Sequence, residues 1–227
     1  MRALALVMLL MACRGSGDDD YRIIPGGDDT RIVPRPDAPL APDAPDDGGA
    51  TIDGRVCVLR DARDLSSCEP SGVGGLEVTL GDQSATTGDD GSFSITMPME
   101  TELVWHVTGT DLVTSVMPFT TTPTIPALKA IEYDDLLLGN VGTLLSADEG
   151  SMFVRVIQAA APLADATVES APDSTYGVRY DGGDSTVWGG AATGPFGVAW
   201  IAGARAGDNT VTVTPPVGGD VMTTAPV

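Results

Sequence analysis

Three residue types are scarce enough in this chain to decide what chemistry is open to it. Among 227 residues there are three cysteines (Cys13, Cys57, Cys68), three tryptophans (Trp105, Trp188, Trp200) and a single histidine, His106. One imidazole and three thiols fall short of most His/Cys metal sites and of most histidine-dependent catalysis. His106 alternates with apolar residues in Leu103-Val-Trp-His-Val107, so it is expected on the polar face of a strand. Ser71 and Ser151 lie near glycines but outside a nucleophile-elbow pattern. Carboxylates are plentiful, with 32 Asp and Glu against 12 Lys and Arg and a net charge of -20. That balance argues against nucleic-acid binding, which needs cations facing phosphates. Many carboxylates bring some pair together by chance, so the count identifies no glycosidase pair. Asp89-Asp90-Gly91 has the composition of a turn, and nothing fixes Asp18-Asp19-Asp20 or Asp46-Asp47 into a calcium cage. The expectation is therefore no catalytic residue, no metal ligand and no cofactor. Trp188, beside Gly189-Gly190, is the candidate for stacking on a ligand, whereas Trp105 and Trp200 occupy core-like strand positions.

The first cysteine has a distinct context. Met1-Arg2 is a short positive start, and residues 3–12 are an unbroken apolar run that stops at Cys13. Ten residues make a helix of about 15 Å, half the thickness of a bilayer core of about 30 Å. The length suits the apolar part of an export signal instead. Leu10-Met11-Ala12-Cys13 resembles the lipobox of bacterial lipoproteins, in which a small residue precedes a cysteine that becomes acylated; Met11 is bulkier than the usual Ala or Ser. The resemblance implies a signal peptide over 1–12, a lipidated Cys13 and a membrane partner reached through that lipid. Each buried CH₂ of the acyl chains adds roughly 0.8 kcal/mol to anchoring. Arg14 stands where Asp retains Gram-negative lipoproteins in the inner membrane, which points to the outer membrane, on its periplasmic face or the cell surface.

Residues 13–50 then form a Pro/Asp-rich segment with six prolines, four arginines and nine aspartates, Asp37-Ala-Pro-Leu-Ala-Pro-Asp-Ala-Pro45 being a near-repeat. Proline fixes φ and removes amide donors, so a disordered, extended tether is expected. In an exported chain whose Cys13 is acylated, Cys57 and Cys68 are the remaining thiols, and an oxidising compartment favours a disulfide between them. A loop this short contributes roughly 2–3 kcal/mol by chain entropy.

After Ala50 the apolar period becomes two. Arg55–Arg60, Leu76–Leu80, Ser92–Met97 and Leu103–Val107 read as strands separated by Gly/Asp turns, the spacing of a β-sandwich. Residues 127–149 read as a helical connector, with Leu128, Ile131 and Leu138 inward and Pro126 at the helix start. Strands return over 152–158, 166–170, 178–180, 185–188, 196–201 and 209–214. Gly74-Gly-Leu-Glu-Val-Thr-Leu80 followed by Thr87-Gly-Asp-Asp-Gly-Ser-Phe-Ser-Ile95 has an echo in Leu163-Ala-Asp-Ala-Thr-Val168 followed by Thr193-Gly-Pro-Phe-Gly-Val-Ala-Trp200.

Those residues resemble the carboxypeptidase regulatory-like domain, and Pro162–Val168 is similar to its "PLAGATV" strand, with Asp165 where glycine is usual. The resemblance implies a transthyretin-like (prealbumin-like), Greek-key β-sandwich, a fold classed with carbohydrate-binding-like domains and generally non-catalytic. The expectation is a mainly β chain with two such modules, 51–126 and 150–227. The inward set Leu76, Val78, Phe93, Ile95 and Trp105 would not mix with Val154, Val168, Phe196, Val198 and Trp200. The function expected is an envelope-anchored, non-catalytic lipoprotein with a structural role or an unidentified protein or glycan partner. The rivals are an envelope hydrolase using paired carboxylates and a calcium-stabilised matrix protein. Cys57 and Cys68 should resist alkylation until the protein is reduced. Cys68→Ser should lower Tm by several degrees in calorimetry, and full alkylation of both thiols without reductant would contradict the bridge.

Overall fold

Short alternating segments become strands throughout the computed structural model, which describes residues 8–13, 49–99, 102–182 and 188–227. In chain order they are β1 (Met8–Cys13), β2 (Thr51–Val58), β3 (Glu77–Leu80), β4 (Gln83–Thr86), β5 (Ser92–Thr96), β6 (Val104–Thr108), β7 (Thr114–Pro118) and β8 (Thr124–Ala127). The helix α1 (Ala130–Asn140) follows, then β9 (Glu149–Arg155), β10 (Ile157–Gln158), β11 (Ala161–Pro162) and β12 (Thr167–Ala171). The chain continues through β13 (Val178–Tyr180), β14 (Val198–Arg205), β15 (Asp208–Thr214) and β16 (Val221–Pro226). The protein is mainly β, as expected, and its sheets pack as a β-sandwich does. The expected strand at 185–188 falls almost entirely outside the described residues.

In the first half, β5-β2-β8 faces β7-β6-β3-β4. Ile52, Val56, Phe93 and Ile95 on one side meet Val78, Leu80, Trp105 and Val107 on the other. All five residues of the first expected inward set lie in this cluster. In the second half, Val168, Val211 and Val213 from β12-β15-β16 pack on Met152, Val154, Ala199 and Ile201 from β9 and β14.

The second inward set divides. Val154 and Val168 lie in the second core, but Val198 and Trp200 point to the opposite face of β14, with Phe196 packed beside them. There they join Phe153 of β9, Tyr133 and Leu137 of α1, Trp188, and Leu59 and Leu65 from the loop after β2. The β9–β14 pair is therefore buried on both faces, so alternation no longer separates inside from outside. A sheet covered twice needs apolar residues at successive positions, which Met152-Phe153-Val154 and Val198-Ala199-Trp200-Ile201 supply.

A continuous eight-stranded sheet, in the order β13-β14-β9-β1-β7-β6-β3-β4, runs through both halves, contrary to the expectation that they share no sheet. β1 makes the join: it pairs antiparallel with β9 over Met8–Cys13 and with β7 over Met11–Cys13.

The two halves repeat the same registers. Arg55 pairs with Ser92 and Gly54 with Phe93; Arg155 pairs with Val198 and Val154 with Ala199. Val78 pairs with Val107, as Val168 does with Val213. Trp105 pairs with Met117, as Val211 does with Thr223. A buried threonine ties each repeat together. The Thr87 hydroxyl accepts from the Leu76 N–H (3.0 Å) and donates to the Val73 carbonyl (2.9 Å). The Thr193 hydroxyl accepts from Ala166 (3.0 Å) and donates to Leu163 (2.7 Å). The turn after each threonine ends in a glycine with positive φ, Gly91 (80°) and Gly197 (67°), whose carbonyl accepts from Val56 and Val156. A Cβ at either would stand 2.9 or 2.5 Å from that partner's own carbonyl oxygen. Asp165 adopts φ 62°, a conformation Asp tolerates better than most residues.

The helix is shorter than the expected connector and differently phased. Pro126 belongs to β8, parallel to β2, and Leu128 is buried ahead of the helix, with its carbonyl bonded to Val113. Leu128 therefore cannot set the helical phase. Ile131 (68 % exposed) and Leu138 (53 %) face solvent, while Tyr133 and Leu137 face the β9–β14 sheet. Leu137→Ala should cost about 2–5 kcal/mol in urea unfolding, whereas Ile131→Ser should stay within about 0.5 kcal/mol of the parent. The reverse order would restore the phase read from sequence.

Candidate functional site

The loop that leaves β2 is held at both ends. Cys57 and Cys68 are joined by a disulfide (S–S 2.06 Å), and Leu59 forms a β-bridge with Cys68. Within the loop, the Ser67 hydroxyl donates to the Asp61 carbonyl (2.9 Å) and accepts from the Asp61 N–H (3.0 Å). Arg63 grips the Asp61 carboxylate with both arms, Nε at 3.0 Å and an Nη at 2.7 Å, and its own N–H donates to the same group at 2.9 Å. Lys129, just before α1, donates to Glu69 (2.9 Å) and Glu132 (3.2 Å) and so ties the helix start to the end of the loop.

Between this loop and α1 lies a groove of about 340 Å³. Leu59, Leu128 and Leu136 give it apolar surface; Arg60, Glu132 and Asn140 supply charge and hydrogen-bonding groups. Asp61, Arg63 and Trp188 also line it. Trp188 is only 6 % exposed, because Phe153 and Trp200 pack against it with ring centres at 5.9 and 5.4 Å. With so little surface exposed to the groove, the stacking platform expected from Gly189-Gly190 is largely enclosed. Trp105 and Trp200 are fully buried, as expected. Below the groove, Tyr133 and the Trp200 indole both donate to the buried Ser151 hydroxyl, at 2.7 and 2.9 Å.

Behind it is a carboxylate that sequence reading did not single out. Asp181, 3 % exposed, accepts from the backbone N–H groups of Gly194 (2.6 Å), Phe196 (2.6 Å) and Val198 (3.0 Å). It holds the turn that aims Trp200. In the first half, Asp90 does the equivalent work inside its own turn, accepting from the Ser92 N–H and hydroxyl. Asp61, Arg63 and Asp181 carried no local pattern beyond the Asp-x-Arg spacing in the loop. The fold sets Asp61 and Arg63 in the lining of the groove and brings the charge of Asp181 to bear on Arg63.

His106 is exposed on β6. Cys13 ends β1 opposite Thr114 and Gly150, far in sequence from the groove residues. Among the described residues no group of three or more His, Cys, Asp or Glu side chains could hold a metal ion, and no helix is long and apolar enough to cross a membrane. Three described carboxylates titrate below their ordinary values. Burial pushes Asp61 up, but the hydrogen bonds and charge of Arg63 outweigh it. Burial likewise raises Glu149, and bonds from the Thr175 and Ser146 hydroxyls more than reverse it. Hydrogen bonds from Ser92 lower Asp90. No protein-family model, curated protein or solved structure matches the chain.

Because Asp61 has a lower pKa folded than unfolded, its pairing stabilises the fold above about pH 4 and is lost as pH falls through the folded value. Asp61→Asn should therefore be less stable than the parent at neutral pH, by under ~1 kcal/mol since the group is part-exposed. The difference should narrow as pH falls below ~4 in urea melts. A gap that widened in acid would show that the pair is not formed.

Proposed function

We propose that this chain is an envelope-anchored, non-catalytic lipoprotein in which two β-sandwich modules, held off the membrane by a Pro/Asp tether, do structural or recognition work on a protein or glycan. The observation that carries the reading is the position of Cys13. It ends an unbroken apolar run and stands directly before a proline-rich acidic segment. The matched registers and the paired Thr87 and Thr193 bonds support two copies of one transthyretin-like unit. Asp61, Asp90 and Glu149 are not poised as general acids, which need a raised pKa, because all three are displaced the other way. The groove between α1 and the disulfide loop, with its apolar floor and mixed polar rim, has the composition of a recognition surface.

The full-length protein expressed in a lipoprotein-processing host should partition into the detergent phase and carry acyl mass on an N-terminal Cys13. Cys13→Ala should move it to the aqueous phase with the folded body intact by circular dichroism. Unchanged partitioning of the variant would remove the anchoring half of the proposal.

A further inference from the structure

The repeat exposes a difference between the halves. β3 is bonded on both sides, to β6 and to β4, the latter through the pairs Glu77–Thr86, Val78–Ala85, Thr79–Ser84 and Leu80–Gln83. Its counterpart β12 is bonded only to β15. The chain that follows β12 crosses to the other sheet as β13, and among the described residues no strand lies in the place that β4 fills.

The vacant edge is partly capped. The register of β12 with β15 runs from Thr167 to Ala171 without a bulge, so outward-pointing backbone groups fall on alternate residues. At Ala166 they are met by Thr193. At Val168 the Tyr180 hydroxyl takes both, accepting from the N–H (3.0 Å) and donating to the carbonyl (3.2 Å). Ser170 is next in the alternation, and no described group bonds its N–H or carbonyl. A groove of about 630 Å³ opens there, between β12 and the 173–178 segment. Its charged lining residues are Glu169 and Asp173.

We propose that this edge is a strand-acceptor site for a partner polypeptide, whose extended segment adds antiparallel to β12 at Ser170 in the position that β4 holds beside β3. Main-chain bonds to Ser170 supply the attachment. The Tyr180 hydroxyl stands in for a peptide group one step along and yields its two bonds if the added strand is longer. The partner is cationic. A residue opposite Glu169 on the outer face, where Ser84 stands opposite Thr79 in the first half, meets a carboxylate, and an opposite charge is favoured there. A second copy of this chain is disfavoured, because it would bring another Glu169, another Asp173 and another net charge of -20 to the same edge.

The inference deepens the recognition half of the function proposed above by naming its partner as a polypeptide; it rests on that reading and not on acylation of Cys13. The test uses the full chain and a capped hexapeptide alternating lysine with alanine or valine, compared with its glutamate counterpart. The lysine peptide should shift and protect the Ser170 amide in NMR and hydrogen exchange, and the glutamate peptide should not. Ser170→Pro removes an outward N–H without touching the β15 ladder, and should weaken binding about tenfold. Glu169→Lys, at an exposed site, should reverse the preference to the glutamate peptide. Equal binding by parent and both variants, a preference of the parent for the glutamate peptide, or no binding would overturn the proposal. So would a dimer that Ser170→Pro dissolves, since the edge would then belong to a second copy. Each of these results is independent of detergent partitioning.

Discussion

Most of the architecture follows from one constraint, the burial of the β9–β14 pair on both faces. Two adjacent strands with Met152, Val154, Ala199 and Ile201 on one side and Phe153, Val198 and Trp200 on the other cannot stand at a surface. One face is covered by β12-β15-β16, as in any sandwich. The other needs a cover that the second half does not possess, and α1 together with the disulfide-closed loop provides it. Phe153 and Trp200 lie parallel, with ring planes 3° apart, and Trp188 is tilted against both. Aromatic contacts of this kind add to what area burial gives. The Ser151 hydroxyl satisfies two donors in the middle of this layer, so an otherwise apolar interface carries a polar position that orients Tyr133 and the Trp200 indole.

The first half was legible because β3, β5 and β6 each turn one face to the core. Val78, Phe93, Ile95 and Trp105 alternate with polar neighbours, and period two says which way they point. The same rule failed for Val198 and Trp200, since on a strand covered from both sides the pattern has no phase. The groove was less legible still. Cys57 and Cys68 were readable from their count and spacing, but Asp61, Arg63 and Asp181 meet only because the loop folds against α1 and the turn at 194–198 needs a buried acceptor. β8 was missed because Pro126 looked like a helix start. As the last strand of its sheet, beside β2, it has one bonded edge, and an edge strand tolerates a residue that lacks a donor.

The two halves keep the same threonine bonds while changing what stabilises the turn that follows. In the first, Asp90 sits in the turn and closes it locally at an exposed site. In the second, Pro195 and Phe196 occupy the corresponding positions, and the acceptor comes instead from Asp181 at the end of β13. The first device is local and the second tertiary, and the turn beside Trp200 is thereby coupled to the segment that carries Trp188. The threonines could not change in this way, because each satisfies a buried donor and a buried acceptor of the neighbouring strand.

β1 gives the molecule its continuity as a single sheet. Among the described residues it is the one strand between β7 and β9, and under the function proposed above processing at Cys13 would remove all of it but that residue. Without β1 the sheet would part into β13-β14-β9 and β7-β6-β3-β4, leaving side-chain packing, with α1 and the disulfide loop set against β9 and β14, to hold the halves together.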